Sequence, residues 1–345
     1  MAPLFTGLRL GFGRSAAAEV AVPFSATGGT TATPGNGYKY HTFTSPGTFT
    51  VSGGNNTIEI LAVGGGGAGG QSYFGGGAGG VIFYGSTPTP VTWGSSLPVL
   101  PGPYSISVGN GGTTPANPQA SPAPTPDLIA SHGGDTTFTH PSGPFTAQGG
   151  GSGMYAGPFD SNPYSRGGSG GAGEGAYPGS PNPSPQRQGY PGYNSGGAGQ
   201  AGGGGAGAAG GNSPTGSSGW NAIGGVGGIG VQFPDFTGPL IGVPSLAPLN
   251  GYYAGGGGGS GRNDNNGGPA PQTGYGGAGG LGGGGSGSGS RGRNYPGAPA
   301  PYVAAVTYSG GGGGGPGNGG PFPGTDGPQD ADPGAPGIFV IRYVV

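Results

Sequence analysis

Between Tyr38 and Val63 the chain reads "YKYHTFTSPGTFTVSGGNNTIEILAV", with apolar and aromatic residues recurring at every second position. A period of two belongs to a half-buried β-strand. Ser45-Pro46-Gly47 and Gly53-Gly54-Asn55 interrupt it with turn residues. Strands are predicted near 39–44, 48–51 and 58–63. The same signal recurs in "GVIFY" at 80–84, "YSISV" at 104–108 and "DTTFT" at 135–139, and the chain closes on "GIFVIRYVV" at 337–345. Strands therefore lie at 38–140 and again at 337–345, and the two ends are expected to pair into one small sandwich or sheet. No segment carries the 3.6-residue period, so no α-helix is expected.

The strand at 58–63 runs straight into "GGGGAGG", where there are no side chains left to pack. Glycine supplies 98 of the 345 residues and proline 39. Such a load without a strict period ordinarily signals low complexity. Charged residues, however, make up only 6% of the chain, whereas solvated disordered segments are rich in charge. A collagen triple helix needs glycine at every third position, and "GGGGAGGQSYFGGGAGG" breaks that phase. The Gly/Ala runs are too few and too varied for silk-like stacking. Glycine in the polyproline II conformation remains. This helix has three residues per turn and no internal hydrogen bonds, so its N–H and C=O groups point outward to neighbours. Only glycine lets several such backbones pack side by side, and a seven-residue run spans roughly 20 Å. The predicted fold is mostly β and irregular: a small β-sandwich or sheet, a bundle of polyglycine II helices, and long Pro/Tyr-rich loops.

Glycine runs at 149–153, 167–175, 196–211, 224–230, 255–261, 276–292 and 309–320 alternate with Pro-, Asn- and Tyr-rich segments such as "AYPGSPNPSPQRQGYPGYN". This texture over 149–320 reads as rods joined by loops at their ends. Residues 26–37 read as a linker. Residues 1–25 differ from everything after them, with Leu4, Phe5, Leu8, Arg9, Leu10 and Phe12 close together. They are too few to fold alone and are read as a docking peptide rather than a frayed end. Three units follow: 1–25, 26–37 and a glycine-rich domain over 38–345.

Candidate chemistry is sparse. Net charge is −2, from nine basic and eleven acidic residues, and no basic patch points to nucleic acid. There is no cysteine, hence no disulfide and no thiolate site. No apolar run is long enough to span a membrane, and Glu19 interrupts the one short apolar stretch near the N-terminus. The G-x-G-x-x-G matches are products of glycine abundance, and the sole lysine, Lys39, sits outside any P-loop. His41, His132 and His140 lack ligand spacing. The acidic turns "DSN", "NDNN" and "DGPQDAD" offer calcium-type oxygen ligands, but solvated turns account for them. No nucleophile stands beside a base. The expected protein is therefore not an enzyme, and no cofactor or metal is expected. The aromatics carry more: Tyr155, Phe159, Tyr164, Tyr190, Tyr193, Phe233, Phe236, Tyr252 and Tyr295 fall in the loop texture. Tyrosine beside Asn, Ser and Gly offers rigid contact area at low entropy cost, although such rings also cap rod ends.

The ordered series "HTFTSPGTFTV", "TIEILAVGGGGAGG", "GGAGGVIFY", "YSISVGNGG", "GGDTTF", "AQGGGSG", "YYAGGGGGSG" and "GIFVIRYVV" resembles the glycine-rich domain of phage tail fibres and related receptor-binding adhesins. The resemblance spans about 38–345. It implies end-paired β-strands, packed polyglycine II helices, and receptor contact through variable loops. The chain departs from that pattern in its proline-rich loops, its apolar stretch at 231–250, and its short N-terminal segment. The expected function is a virion fibre or tip protein on the tail, neck or capsid. Residues 1–25 would dock on other phage structural proteins, and the loops would meet a host surface glycan or outer-membrane protein. A trimer is suggested by analogy with fibres. The alternative is a structural decoration protein without a specific receptor, using 231–250 as an assembly contact.

Overall fold

The computed structural model describes residues 23–70, 73–89, 91–114, 130–153, 168–172, 188–193, 200–214, 223–261, 273–291, 303–316 and 331–345. Its β-strands are β1 (Ser25–Thr27), β2 (Thr30–Ala32), β3 (Tyr38–Phe43), β4 (Gly47–Gly53), β5 (Asn56–Val63), β6 (Val81–Tyr84), β7 (Thr92–Gly94), β8 (Leu97–Val99), β9 (Gly102–Ser107), β10 (Thr136–His140) and β11 (Gly143–Ala147). Later come the short β12 (Val231–Gln232), β13 (Tyr252–Tyr253), β14 (Thr273–Gly274) and β15 (Ser290–Arg291), and finally β16 (Ile338–Val344). The predicted core strands are all present, and the fold is mostly β. Among the described residues, the helical turns are the short 3₁₀ segments Pro234–Phe236 and Pro244–Leu249.

The C-terminal strand is inserted between two N-terminal ones. Strand β16 pairs antiparallel with β3, Phe339 opposite Phe43 and Val344 opposite Tyr38. On its other side it pairs with β5, Ile338 opposite Val63 and Arg342 opposite Glu59. The sheet runs β2-β3-β16-β5-β6-β7, with β8 also paired to β5. A second sheet, β1-β4-β9-β10-β11, lies against it. Between the sheets Phe339, Ile341, Ile58, Ile60, Phe49, Tyr104 and Phe138 form one core.

The apolar run Ile338–Ile341 of β16 follows from its position. A strand covered on both faces has no polar side to present. Ile338 and Val340 point away from the sandwich into a second core, with Leu61, Val63 and Phe83. Residues 231–253 cover this face. Phe233, Phe236, Ile241, Val243, Leu246 and Tyr253 are buried there, and polar contacts set their register. The Tyr40 hydroxyl donates to the Asp235 carbonyl at 3.0 Å, and Thr42 Oγ1 to the Ile241 carbonyl at 2.7 Å. The expected loop at 231–250 is thus part of the domain's own core. A sequence pattern without helix or strand period hid it, because its fold is built from 3₁₀ turns and prolines.

The stretch expected as a linker at 26–37 also has structure. It spans both sheets, contributing the end of β1 to one and β2 to the other. The turn between them is pinned by buried His41. Its Nδ1 donates to the Gly28 carbonyl at 2.7 Å, and Nε2 takes the Tyr343 hydroxyl at 3.2 Å. Gly28 has φ of +116°, and a Cβ there would lie 2.2 Å from the Thr48 carbonyl oxygen, so only glycine fits.

One ionic group is buried at the seam between sheet and lobe. Arg342 Nε donates to Glu59 Oε2 at 2.6 Å, both side chains nearly inaccessible. Arg342 also meets Asp235 Oδ2 of the lobe at 3.1 Å, and its guanidinium lies over the rings of Tyr38 and Phe236. Glu59 Oε1 in turn accepts from the Ser86 amide and hydroxyl.

Beyond the sheets, the glycine runs form polyglycine II rods with a three-residue hydrogen-bond period. In rod 64–70, Gly64, Gly67 and Gly70 donate to Gly80, Gly77 and Phe74 of one neighbour. Gly65 and Ala68 donate to Gly134 and Ser131 of a second, and Gly66 and Gly69 to Ala335 and Asp332 of a third. Its carbonyls face other rods. Gly150 and Gly153 donate to Gly65 and Ala68, Gly112 donates to Gly66, and Gly313 donates to Gly67. Three neighbours accept and three donate, so this rod is enclosed on all sides. Rods 74–80 and 254–261 are enclosed in the same way, with donors at 75, 76 and 77 and at 256, 257 and 258 each reaching three different neighbours.

Two stability tests follow. Replacing Arg342 by Met should cost about 3–5 kcal/mol in urea unfolding, because Glu59 is left buried and unpaired, and Glu59→Leu in the same chain should restore much of that. Gly66→Ala would place a Cβ 2.0 Å from the Gly311 carbonyl oxygen and should cost about 1–3 kcal/mol or more. Ala68→Gly, in the same rod, should cost less, since the side chain it removes is a single methyl.

Candidate functional site

The direction of each rod shows where the chain turns. Rod 64–70 leaves the sandwich from β5, and rod 74–80 returns to it at β6, the two bonded antiparallel. Residues 108–114 leave from β9, and 130–135 return to β10. Residues 148–153 lead away from β11, 254–261 lead away from β13, and 331–337 return to β16. The remaining rods orient by their partners. Ala201 bonds Gly75 and Gly204 bonds Ala78, so 200–206 runs back toward the sheets. Rod 223–230 runs back into β12, and 275–281 is parallel to it.

The consequence is a separation of ends. The chain leaves the rods at 70, 114, 193, 214, 261, 291 and 316 and re-enters them at 73, 130, 200, 223, 273, 303 and 331, each time at the end remote from the sandwich. The inserted sequences include "PANPQASPAPTPDLI", "RNDNNGGPAPQ", "GRNYPGAPAPY" and "GNGGPFPGTDGPQD". Two connections differ. Gly168 bonds Gly149, and Gln188 bonds Val81, so the passages 153 to 168 and 172 to 188 begin at the remote end and finish near the sheets. The remote end of the bundle is the candidate site.

The expected contact residues divide accordingly. Tyr193 is exposed (38%) at the remote rim, where its rod ends. Tyr190, one turn earlier in that rod, is half-buried. Tyr252 is half-buried in β13, at the sandwich end. Phe233 and Phe236 are about 1% exposed and pack against Phe83 in the second core, the first ring tilted and the second edge-on. They are therefore not contact residues, and the aromatic-in-loop argument fails for them because that segment folds inward. Tyr155, Phe159, Tyr164 and Tyr295 lie outside the described residues, as do Leu4, Phe5, Leu8, Arg9, Leu10 and Phe12. Sequence reasoning missed Tyr275, which is 57% exposed where rod 275–281 starts at the remote end. Its signal was the three-residue spacing of "YGGAGGL", in which every third position bears a side chain.

Charged residues at this end include Arg291, where a rod ends. Among the described residues that terminate rods there, the acid is Asp332, and it is 3% exposed. Its Oδ2 accepts from the Ala305 amide at 2.8 Å. Burial pushes its pKa up to about 6, against amide hydrogen bonds from Ala305 and Gly314 that favour the carboxylate. No group of three or more His, Cys, Asp or Glu side chains is placed to hold a metal among the described residues. No described helix is long and apolar enough to cross a membrane. What the rim offers is tyrosine rings, backbone edges, and inserted segments rich in Pro, Asn and Gly. Tyrosine beside Asn and Gly offers rigid contact area and adaptable hydrogen bonding.

A family model described as a glycine-rich domain matches residues 42–344. No curated protein matches the chain.

Asp332 makes stability depend on pH. Its folded pKa lies above the unfolded value of 3.8, so the native state holds the proton more tightly. Stability should fall as pH rises from about 4 to about 6 and level off above that. In Asp332→Asn this slope should vanish, as read from the difference between the two proteins' melting temperatures across that window.

Proposed function

The chain belongs to the glycine-rich domain family, and we propose that it is a phage virion fibre or tip protein that binds a bacterial cell surface through the remote end of its rod bundle. One observation carries the reading. The rods bring seven separate connections to a single end, opposite the sheets, and the four longest sequences inserted there, at 115–129, 262–272, 292–302 and 317–330, each combine proline with asparagine. The resemblance of the strand and rod series to phage fibre adhesins supplies the phage context. The partner is a surface glycan or an outer-membrane protein, since both offer hydrogen-bonding groups and faces for aromatic stacking. No catalytic step is assigned. In this reading residues 1–25 dock the protein on other phage structural proteins, and the described chain that follows them opens with β1 in the sandwich. The competing reading, a decoration protein, drew its assembly contact from residues 231–250, which this domain spends on its own core.

The test is saturable binding of the fluorescently labelled full chain to cells of the phage's host, with competition against phage adsorption. Replacing 262–272 or 292–302 by Gly/Ser segments of equal length should reduce binding at least about tenfold, which is about 1.4 kcal/mol, without lowering the melting temperature. Folded protein that neither binds nor competes would reject the proposal. Deleting residues 1–20 should leave cell binding intact and remove the protein from particles. Continued incorporation would reject the docking role.

A further inference from the structure

Of the six exposed large apolar side chains on the described rods, Tyr193 and Val303 stand on separate rods and the other four are gathered on two neighbours. Val226 (54%) and Ile229 (46%) stand on rod 223–230, and Tyr275 (57%) and Leu281 (60%) on rod 275–281. These two rods are direct neighbours. Gly224, Gly227 and Gly230 donate to Tyr275, Ala278 and Leu281 at 2.8, 2.9 and 2.7 Å. The ladder is parallel and in register. A polyproline II helix turns once in three residues, so Ile223, Val226 and Ile229 form one stripe and Tyr275, Ala278 and Leu281 another. Ala278 is exposed as well. A third rod, 207–213, extends the layer on the far side, with Gly211 donating to Val226 and Ala208 to Ile229. None of these three rods carries a charged residue. Apolar clusters of this kind on a protein surface mark interaction sites.

We propose that this face is a contact between two copies of the chain, related by a two-fold axis parallel to the rods. Two features select that occupant. The layer has no charge, so two copies meet without burying an ion. The knobs also repeat about every 9 Å along each rod, as three residues rise about 3.1 Å each. A surface that matches this repeat on two adjacent rows is another polyglycine layer.

The in-register ladder then specifies the pairing. With the axis along the rods, rod 223–230 of one copy faces rod 275–281 of the other at equal heights. Ala278 bonds the residue after Val226, so the bulky valine of each copy faces the small alanine of the other. Ile223 faces Tyr275, and Ile229 faces Leu281. Such an isologous contact closes on itself, and it points both remote ends the same way.

The area sets the strength. The layer is roughly 25 Å long and, at about 5 Å per hydrogen-bonded backbone, roughly 15 Å wide, so each copy contributes roughly 400 Å². A standard stable interface takes about 800 Å² per partner. Association is therefore weak in free solution and becomes effective where copies are held close together, as by a shared anchor.

Sedimentation of the full chain from about 1 μM to about 1 mM should show a mass rising from monomer toward dimer. Val226→Asp and Leu281→Asp, at exposed positions, should each hold the protein monomeric at unchanged melting temperature. Because the chain has no cysteine, Val226→Cys and Ala278→Cys chains can be mixed under mild oxidation. The mixed disulfide dimer should form in excess over either self-dimer. A monomer at every concentration overturns the proposal, as does association that ignores both aspartates. Preferred Val226→Cys self-dimers or a trimeric mass overturn the two-fold geometry. Flotation of a monomeric protein with neutral phosphatidylcholine vesicles, lost in Val226→Asp, would assign the face to a lipid surface instead.

Discussion

The hydrogen bond between neighbouring rods is the interaction on which the rest depends. In the enclosed rods each backbone N–H reaches a different neighbour from the one before it, returning to the first after three residues, as in 64–70. A rod therefore has no structure of its own. It exists only when its neighbours are in place, and its neighbours depend on it. Added Cβ atoms at lattice glycines would fall about 2 Å from a neighbour's carbonyl, as at Gly65, Gly79 and Gly257. The glycine content is thus a steric requirement of interchain spacing rather than a sign of flexibility. Its cost is also plain. Ordering a residue's backbone costs about 1–2 kcal/mol, and a net hydrogen bond returns about 0.5–1.5 kcal/mol. Weak Cα–H···O contacts add about 0.5–1 kcal/mol each. The lattice is close to break-even and needs a nucleus.

The sandwich supplies that nucleus. Its two cores hold most of the large apolar side chains among the described residues, and its strands fix where the first rods begin. Rod 64–70 continues β5, rod 74–80 precedes β6, and residues 331–337 lead into β16. Because β16 sits between β3 and β5, its place in the sheet is filled by the last residues of the chain. Every rod between β6 and β16 is a loop closed by that insertion. Such long sequence separations make folding slow. The Arg342–Glu59 pair, spanning β16 and β5 and reaching Asp235 of the lobe, ties sheet, closing strand and covering segment at one point.

Much of this was legible in the residues. Alternation located β3, β5, β9, β10 and β16, and the exclusion of collagen and silk left polyglycine II as the conformation of the glycine runs. Two features were not legible. Residues 231–253 carry neither period, because 3₁₀ turns at Pro234 and Pro244 present their apolar groups irregularly; the aromatic content was visible and its inward direction was not. The residues at 26–37 look like a linker because they are short and small, yet β1 and β2 are held by partners far away in sequence, such as Tyr343 through His41. As for the site, local pattern marks a rod but not its direction. Only the pairing of Gly204 with Ala78, or of Gly224 with Tyr275, reveals which ends coincide.

Direction is what turns a lattice into a scaffold. A connection that begins and ends at the remote end can change in length or sequence without shifting any rod, since both of its anchors are fixed by neighbours. The anchors at 153 and 168, and at 172 and 188, differ: in each pair one lies at the remote end and the other near the sheets. Variation is therefore cheap where both anchors lie at the remote end. The side faces obey a third rule. There a residue other than glycine fits where its position points away from every neighbour, which happens once in three residues. This is why Val226, Ile229 and Leu281 appear at that spacing within runs that are otherwise glycine and alanine. Placing large apolar side chains at these outward positions, where serine or alanine would serve the lattice equally, separates the chemistry of that face from the requirements of the fold.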